Sequence, residues 1–354
     1  MVQNILFRIL VSPFALLYGI GVWIHHGFYR LGLLKSTSYS IPVIGIGNLT
    51  VGGAGKTPHV EFFLRWLQQH IEVSVLSRGY KRKTKGFREV FSGSQVEEVG
   101  DEPLQFKRKF PESGVFVSES RVLGIPHIIR QRLDTQLIVL DDAFQHRAVK
   151  PGLSLLLSEY DNLFTDDYLL PVGRLREWRS GYERADAIII SKCPHDLDHE
   201  ARARIRSQIQ PRPEQRLFFS HYRYGSMYQL LYPSVRINLH ADMSVIVISG
   251  IARVGTLLAH VKEKAGYVKS IEYGDHHEFS KYEVAQLKEH YDRMEGTQKV
   301  IVTTEKDAVR LEKHRLYLQQ NQLPVFVLPV SVTFGDDEST FKEYIQDFLL
   351  DFKV

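Results

Sequence analysis

Apolar positions along the chain fall into two rhythms. Short runs dominated by Val, Ile and Leu stand at Val43 to Ile46, Val73 to Leu76, Leu137 to Leu140, Leu153 to Leu157 and Ala187 to Ile190. That is the signature of strands buried on both faces. Between them come helical spacings, of which Val60, Phe63, Leu64 and Leu67 are the clearest. The alternation up to Phe219 predicts a doubly wound, mostly parallel α/β sheet over 36–220. Residues 221–243, rich in Tyr and Pro, break the rhythm and read as a linker. A second, smaller α/β unit is expected over 244–354, opening with Val245 to Ile248 and carrying a strand at Lys299 to Val302.

The N-terminal region, 1–35, has a different pattern. From Ile5 to Ile24 it is apolar almost throughout, and as a helix it would reach roughly 30 Å, one hydrocarbon thickness. Arg8 and Pro13 interrupt it, while Trp23, His25, His26 and Arg30 suit a headgroup zone. Two readings stand: an apolar helix lying at a membrane interface, or a helix buried against the body of the protein. A cleaved signal peptide is not expected, because no basic n-region or small-x-small site is present.

Composition narrows the class. A chain of 354 residues, 44% hydrophobic and 24% charged, can bury a full core. Its net charge of +4 is too mild to announce a nucleic-acid partner. The single cysteine, Cys193, excludes an internal disulfide framework.

The chemistry begins where the first strand ends. Gly52, Gly53, Ala54 and Gly55 lead into Lys56 and Thr57, a variant P-loop with Thr50 where the usual pattern has its first glycine. Small residues free backbone N–H groups to wrap a phosphate, Lys56 reaches its outer oxygens, and Thr57 can ligate Mg²⁺. The second strand ends at Arg78, where ligands bind in open α/β sheets. The basic run from Lys81 to Arg88 suits an anionic surface or plain solvation. Asp101 reads locally as a helix N-cap ahead of Pro103, and becomes a candidate base only if it lies near the P-loop. Asp141 and Asp142 end a buried strand in the Walker B manner and are metal candidates, with no choice between them. Gln145, His146 and Arg147 continue that turn, and Arg174 and Arg176 belong to a charged loop able to clamp a phosphoryl group. After the strand at Ala187, Pro194 stands where a guanine-reading aspartate would be.

In order along the chain, Gly47 to Pro58, Ser77-Arg78-Gly79-Tyr80, Gly100-Asp101-Glu102-Pro103, Asp141 to Arg147, Gly173 to Glu177, Asp275-His276-His277 and Thr304 to Ala308 resemble the motif set of the tetraacyldisaccharide 4′-kinases of lipid A synthesis. The resemblance implies a P-loop NTPase-type fold. It implies transfer of the ATP γ-phosphate to the 4′-hydroxyl of a tetraacylated glucosamine disaccharide 1-phosphate, giving lipid IVA at the cytosolic face of the bacterial inner membrane. By that similarity Thr50 and Gly52 to Thr57 hold the nucleotide, while Thr57, Asp141 and Asp142 hold Mg²⁺. Asp101 is implied as the base with His276 as its partner, Lys56 and Arg176 stabilise charge, and Arg78, Glu102, Gln145, His146 and Glu177 face the substrate. No protein partner is expected beyond the lipid substrate and the membrane surface. The other class in play is a membrane-attached nucleotide switch that hydrolyses ATP without phosphorylating a lipid.

Overall fold

A computed structural model describes residues 5–352; the first four residues of the expected N-terminal region and the last two of the chain lie outside it. The strands are β1 Val43–Asn48, β2 Val73–Ser77, β3 Arg88–Glu89, β4 Gly114–Val117, β5 Leu137–Asp141, β6 Leu153–Glu159, β7 Ala187–Cys193, β8 Arg216–Tyr224, β9 Met227–Gln229, β10 Arg236–Ile237, β11 Met243–Ser249, β12 Tyr267–Glu272, β13 Gln298–Thr304, β14 Val325–Leu328 and β15 Val330–Thr333. The helices are α1 Ile5–Arg30, α2 Lys56–Leu67, α3 Val96–Val99, α4 Asp101–Lys109, α5 Arg121–Gln131, α6 His199–Ile209, α7 Gly255–Lys264, α8 Lys281–Arg293, α9 Glu305–Leu311, α10 Arg315–Gln320 and α11 Glu338–Asp351.

The larger sheet has the order β15-β8-β7-β6-β1-β5-β2-β4-β3, the smaller β10-β9-β14-β13-β11-β12. Pairings from β4 through β8 are parallel, and only β3 and β15 run against their neighbours at the edges. Strands β1, β2 and β5 are buried at every position, which the unbroken Val, Ile and Leu runs anticipate. The carboxyl ends of β1, β5 and β2 therefore open on one edge, where α/β sheets bind ligands.

Sheet membership divides the chain differently from the expected scheme. The stretch read as a linker, 221–243, carries the end of β8 and the edge strands β9 and β10. The last segment does not stay with the second unit: β15 pairs with β8, and α11 packs on the larger core. The cause is aromatic. Phe62 and Phe63 on α2 need a cover, and Phe334 and Phe341, stacked with centroids 4.0 Å apart and fully buried, supply it. The chain thus passes from the first sheet to the second and back.

Helix α1 is long and apolar enough to cross a membrane, and only 6% of its apolar window is buried. Leu10, Phe14, Leu17 and Trp23 face outwards. The expectation of a helix buried against the body gives way to a helix touching it along one narrow line: Trp178 Nε1 donates to the Gly19 carbonyl at 2.8 Å and Tyr18 Oη donates to the Arg176 carbonyl at 2.7 Å. A side chain at position 19 would strike the Trp178 ring, so glycine permits the approach.

Candidate active site

Strand β1 hands over to α2 through a turn whose residues Gly52 and Gly55 hold φ of 104° and 86°, the left-handed region glycine enters without strain. A Cβ at Gly55 would lie 2.7 Å from Tyr222 Oη. The turn is fastened from below. His59, fully buried, donates from Nδ1 to the Gly55 carbonyl at 2.7 Å and accepts at Nε2 from Ser220 Oγ at 3.0 Å. Burial pushes its imidazole down to about 4, so the ring stays neutral in this role. The opening N–H groups of a helix have no intrahelical partners, which is what lets the start of α2 serve as an anion cradle. Thr50 is turned inwards, its hydroxyl and carbonyl both accepting from Asn48 Nδ2. It shapes the loop, which Val51 and Leu49 tie to the 174–176 segment by backbone bonds of 2.8 Å.

Beside the cradle lies a dense charge cluster. Lys56 Nζ donates to Asn48 Oδ1 at 2.9 Å and stands 3.5 Å from Asp142 Oδ1. Arg176 holds both oxygens of Asp142 and donates also to the Asn48 carbonyl at 2.8 Å. Burial alone would raise the Asp142 carboxyl, but Lys56 and Arg176 hold it well below the usual range. Asp141 next door has the opposite fate: burial, then the charges of Asp142 and Glu102, push it up to about 6. Its only hydrogen bond to a side chain among the described residues comes from Ser77 Oγ at 2.9 Å. A buried carboxylate short of cations, like the hydroxyl of Thr57 in the first turn of α2, is the kind of hard oxygen donor a Mg²⁺ ion takes. Buried Arg121, on α5, fixes this turn by donating to the carbonyls of Asp141 and Asp142.

The third group forms between the two sheets. Gly100, at φ 93°, is the N-cap of α4, so Asp101 is the first helical residue, one place beyond the N-cap position read from sequence. Its carboxylate makes no capping bond. It reaches instead to the second sheet, where His276 Nδ1 lies 3.0 Å and Arg310 Nε 2.9 Å from Oδ2. Lys306 Nζ donates to His276 Nε2 at 3.0 Å and pairs with Glu102 at 2.9 Å. The His276 ring is thus held at both nitrogens, between Asp101 on one side and Lys306 on the other. Burial would raise Asp101, yet the His276 hydrogen bond, Arg310 and Lys306 hold its carboxyl below the ordinary range.

Of the residues assigned to the substrate, Arg78 is exposed at the end of β2 and makes no ion pair among the described residues. His146 is half-buried, and its Nε2 has no partner among the described residues. Burial, Arg121 and Arg78 push that imidazole down to about 4. Glu177 and Gln145 sit deeper than expected. Gln145 Nε2 donates to the Asn48 carbonyl and to Glu177, both at 2.9 Å, and Glu177, 1% exposed, pairs with Arg184. They brace the loop from behind. Asn48, Arg121, Lys306 and Arg310 belong to the site without a local sequence pattern that marks them as functional. Two have only a positional signal: Asn48 ends β1 one turn before the glycines, and Arg310 lies one helical turn beyond Lys306.

With this geometry in place, comparisons with known proteins converge. Residues 7–350 match the sequence model of the LpxK family, tetraacyldisaccharide-1-P 4′-kinase. A protein of Phocaeicola vulgatus named tetraacyldisaccharide 4′-kinase is 37% identical over 343 residues, covering 95% of this chain and 94% of its own. One of the same name from Flavobacterium johnsoniae is 38% identical over 344 residues, covering 97% and 98%. The crystal structure of LpxK from Aquifex aeolicus in complex with ATP superposes with a TM-score of 0.73 at 28% identity, covering 97% of this chain and 99% of that one.

Proposed function

The chain belongs to the tetraacyldisaccharide 4′-kinase family, and from that premise we propose how its residues carry ATP-dependent phosphorylation of the disaccharide lipid. The reaction moves the γ-phosphate of ATP to the 4′-hydroxyl of a tetraacylated glucosamine disaccharide 1-phosphate and yields lipid IVA. The nucleotide-switch alternative is not favoured, since the named relatives are kinases across nearly the full chain.

The observation that carries the assignment is the Asp101–His276 contact of 3.0 Å, which joins helix α4 beside the larger sheet to the loop that follows β12 of the smaller one. Both donors to Asp101 use Oδ2, and Oδ1 receives no hydrogen bond from the described residues. Oδ1 is the atom for the acceptor. As the 4′-oxygen forms its bond to Pγ, its proton passes to Asp101 Oδ1, and the bond from Pγ to the bridging oxygen breaks to release ADP. Lys56 and Arg176 face the charge of the transferring group, and their fixed positions lower the barrier without reorganisation. Thr57, Asp141 and Asp142 would hold Mg²⁺, which when bound neutralises charge on the β- and γ-phosphates. His146, through its unpartnered Nε2, and Arg78 are assigned to the acceptor sugar and its phosphate.

The exposed apolar side of α1 is assigned to the cytosolic face of the inner membrane, where a long-chained acceptor resides. The charge of Arg30 and the ring of Trp23 suit its headgroup boundary.

Asp101→Asn tests the base. Transfer of label from ATP to the acylated disaccharide is expected to fall by about 10²- to 10⁴-fold, with nucleotide affinity retained. Normal turnover in that variant removes Asp101 from the mechanism.

A further inference from the structure

Asp101 has a permanent cation beside it, and that cation is Arg310. A guanidinium keeps its charge at every working pH, and Arg310 places its own in direct contact with the carboxylate. Arg310 is 2% exposed, on the face of α9 that packs against α4. Its guanidinium spends its donors in two directions. Nε goes to Asp101 Oδ2 at 2.9 Å, and Nη1 goes to the His277 carbonyl at 2.9 Å, the Gly250 carbonyl at 3.3 Å and Asp307 Oδ1 at 3.2 Å. Nη2 is buried without a partner among the described residues.

Those carbonyls are the frame of the His276 loop. The amide of His276 donates to Gly250 O at 3.1 Å, and His276 itself holds φ 58°, the left-handed region that a non-glycine residue keeps only under outside restraint. Asp307 completes the frame, accepting from the Gly250 amide, Ser249 and Thr304. One side chain therefore fixes both members of the pair: the acid directly, the imidazole through the backbone on either side of it. By occupying Oδ2 together with His276, it also leaves Oδ1 to the acceptor.

We propose that Arg310 is the positioning residue of the transfer reaction, locking the rotamer and charge state of Asp101 and the loop of His276 from the second sheet. The inference rests on Asp101 acting as the base. The other charged groups facing this carboxylate are Lys306 of α9, Glu102 of α4, and Asp275 of the loop before His276. They pair largely with one another through Lys306, so Arg310 is the cation with no other route to neutralisation except Asp307.

The experiment uses the full chain with ATP and acylated disaccharide in mixed micelles. Arg310→Gln is expected to lower kcat about 100-fold or more with KM for ATP within about two-fold, because pre-organisation is lost and the cradle is untouched. The acidic limb of its kcat/KM profile moves up by about one to three pH units, the range a lost neighbouring cation produces. Arg310→Lys keeps a charge but not the two-directional fork, and retains activity within about ten-fold of wild type. In an Asp101→Asn background, Arg310→Gln adds less than about three-fold, since its effect runs through Asp101. A full additional loss in that background, or an unmoved acidic limb, overturns the proposal and leaves only a packing role. Should Arg310→Gln fail to fold, Arg310→Lys decides: a kcat reduced about three- to ten-fold at unchanged ATP KM supports the proposal, and wild-type kcat overturns it. An active Asp101→Asn single variant instead brings down the base assignment itself, a separate and recognisable result.

Discussion

Arg176 closes on Asp142 from both ends, with Nη2 2.9 Å from Oδ1 and Nη1 3.1 Å from Oδ2. The planar fork matches the carboxylate, and the same nitrogen that holds Oδ1 also reaches the Asn48 carbonyl. An ammonium cannot copy this. Arg176→Lys is therefore expected to lower kcat by roughly 10²-fold despite conserving charge. Label transfer at saturating ATP checks it, and a rate near wild type would show that a point charge suffices.

Asp141 supplies a prediction in which stability and activity part company. Its folded carboxyl sits at about 6, above its ordinary 3.8. An acid whose folded pKa is raised costs stability that builds up as pH rises from the ordinary value to the folded one, is complete above it and vanishes below the ordinary one. Without Mg²⁺ and nucleotide, the cost at pH 8 is on the order of 3 kcal/mol. Asp141→Asn should then melt at a higher temperature than wild type at pH 8, with the advantage fading towards pH 4 and activity lost. Saturating Mg²⁺ and nucleotide should narrow the gap by stabilising wild type more than the variant. A lower Tm for the variant at pH 8 contradicts this account.

How much of this was legible in the chain varies with scale. The β1 turn, Asp141, Asp142 and Arg176 could be read because each sits at a strand end or in a loop whose local pattern announces phosphate chemistry. Asp101 could not be read so from local signals, since its neighbours describe a helix start just as well, and only a partner about 175 positions away gives it a role. Arg310 lay hidden for a related reason: on its helix it looks like a solvated arginine, and its burial depends on a contact between sheets. The return of β15 and α11 to the first sheet was hidden as well, because Phe334 and Phe341 pack on Phe62, far away in sequence. Local periodicity fixes elements; it does not choose which core an aromatic completes.

Lys109, at the far end of α4 from Asp101, lies 2.5 Å from Glu61 of α2 and 2.7 Å from Glu305 of α9. Both glutamates are buried, and burial together with the charge of Glu305 pushes Glu61 up to about 7 even with the lysine present. One ammonium thus ties the P-loop helix, the helix carrying Asp101 and the helix carrying Arg310. Lys109→Met leaves two buried carboxylates without a cation and should destabilise the chain by about 3–5 kcal/mol at pH 8. The penalty should shrink as pH falls from about 7 towards 5, because protons can then neutralise the acids. Urea denaturation at the two pH values measures it, and a loss independent of pH would assign the effect to packing alone.

The outer face of α1 offers the last test. Leu10, Phe14 and Leu17 follow one another at helical spacing and are 72%, 63% and 66% exposed. Side chains so exposed contribute little to folding, so replacing them leaves the body intact. Embedding each in an apolar phase is worth about 1.5–3 kcal/mol. Phe14→Glu combined with Leu17→Glu should lower partitioning onto anionic phospholipid vesicles by at least about 100-fold, with Tm nearly unchanged. The inner line of contact, Tyr18 with the Arg176 carbonyl and Trp178 with Gly19, is not altered. Turnover of a short-chain acceptor free in solution should therefore persist while turnover of the membrane-embedded lipid drops. Equal vesicle binding by wild type and variant would assign the exposed face to something other than the bilayer.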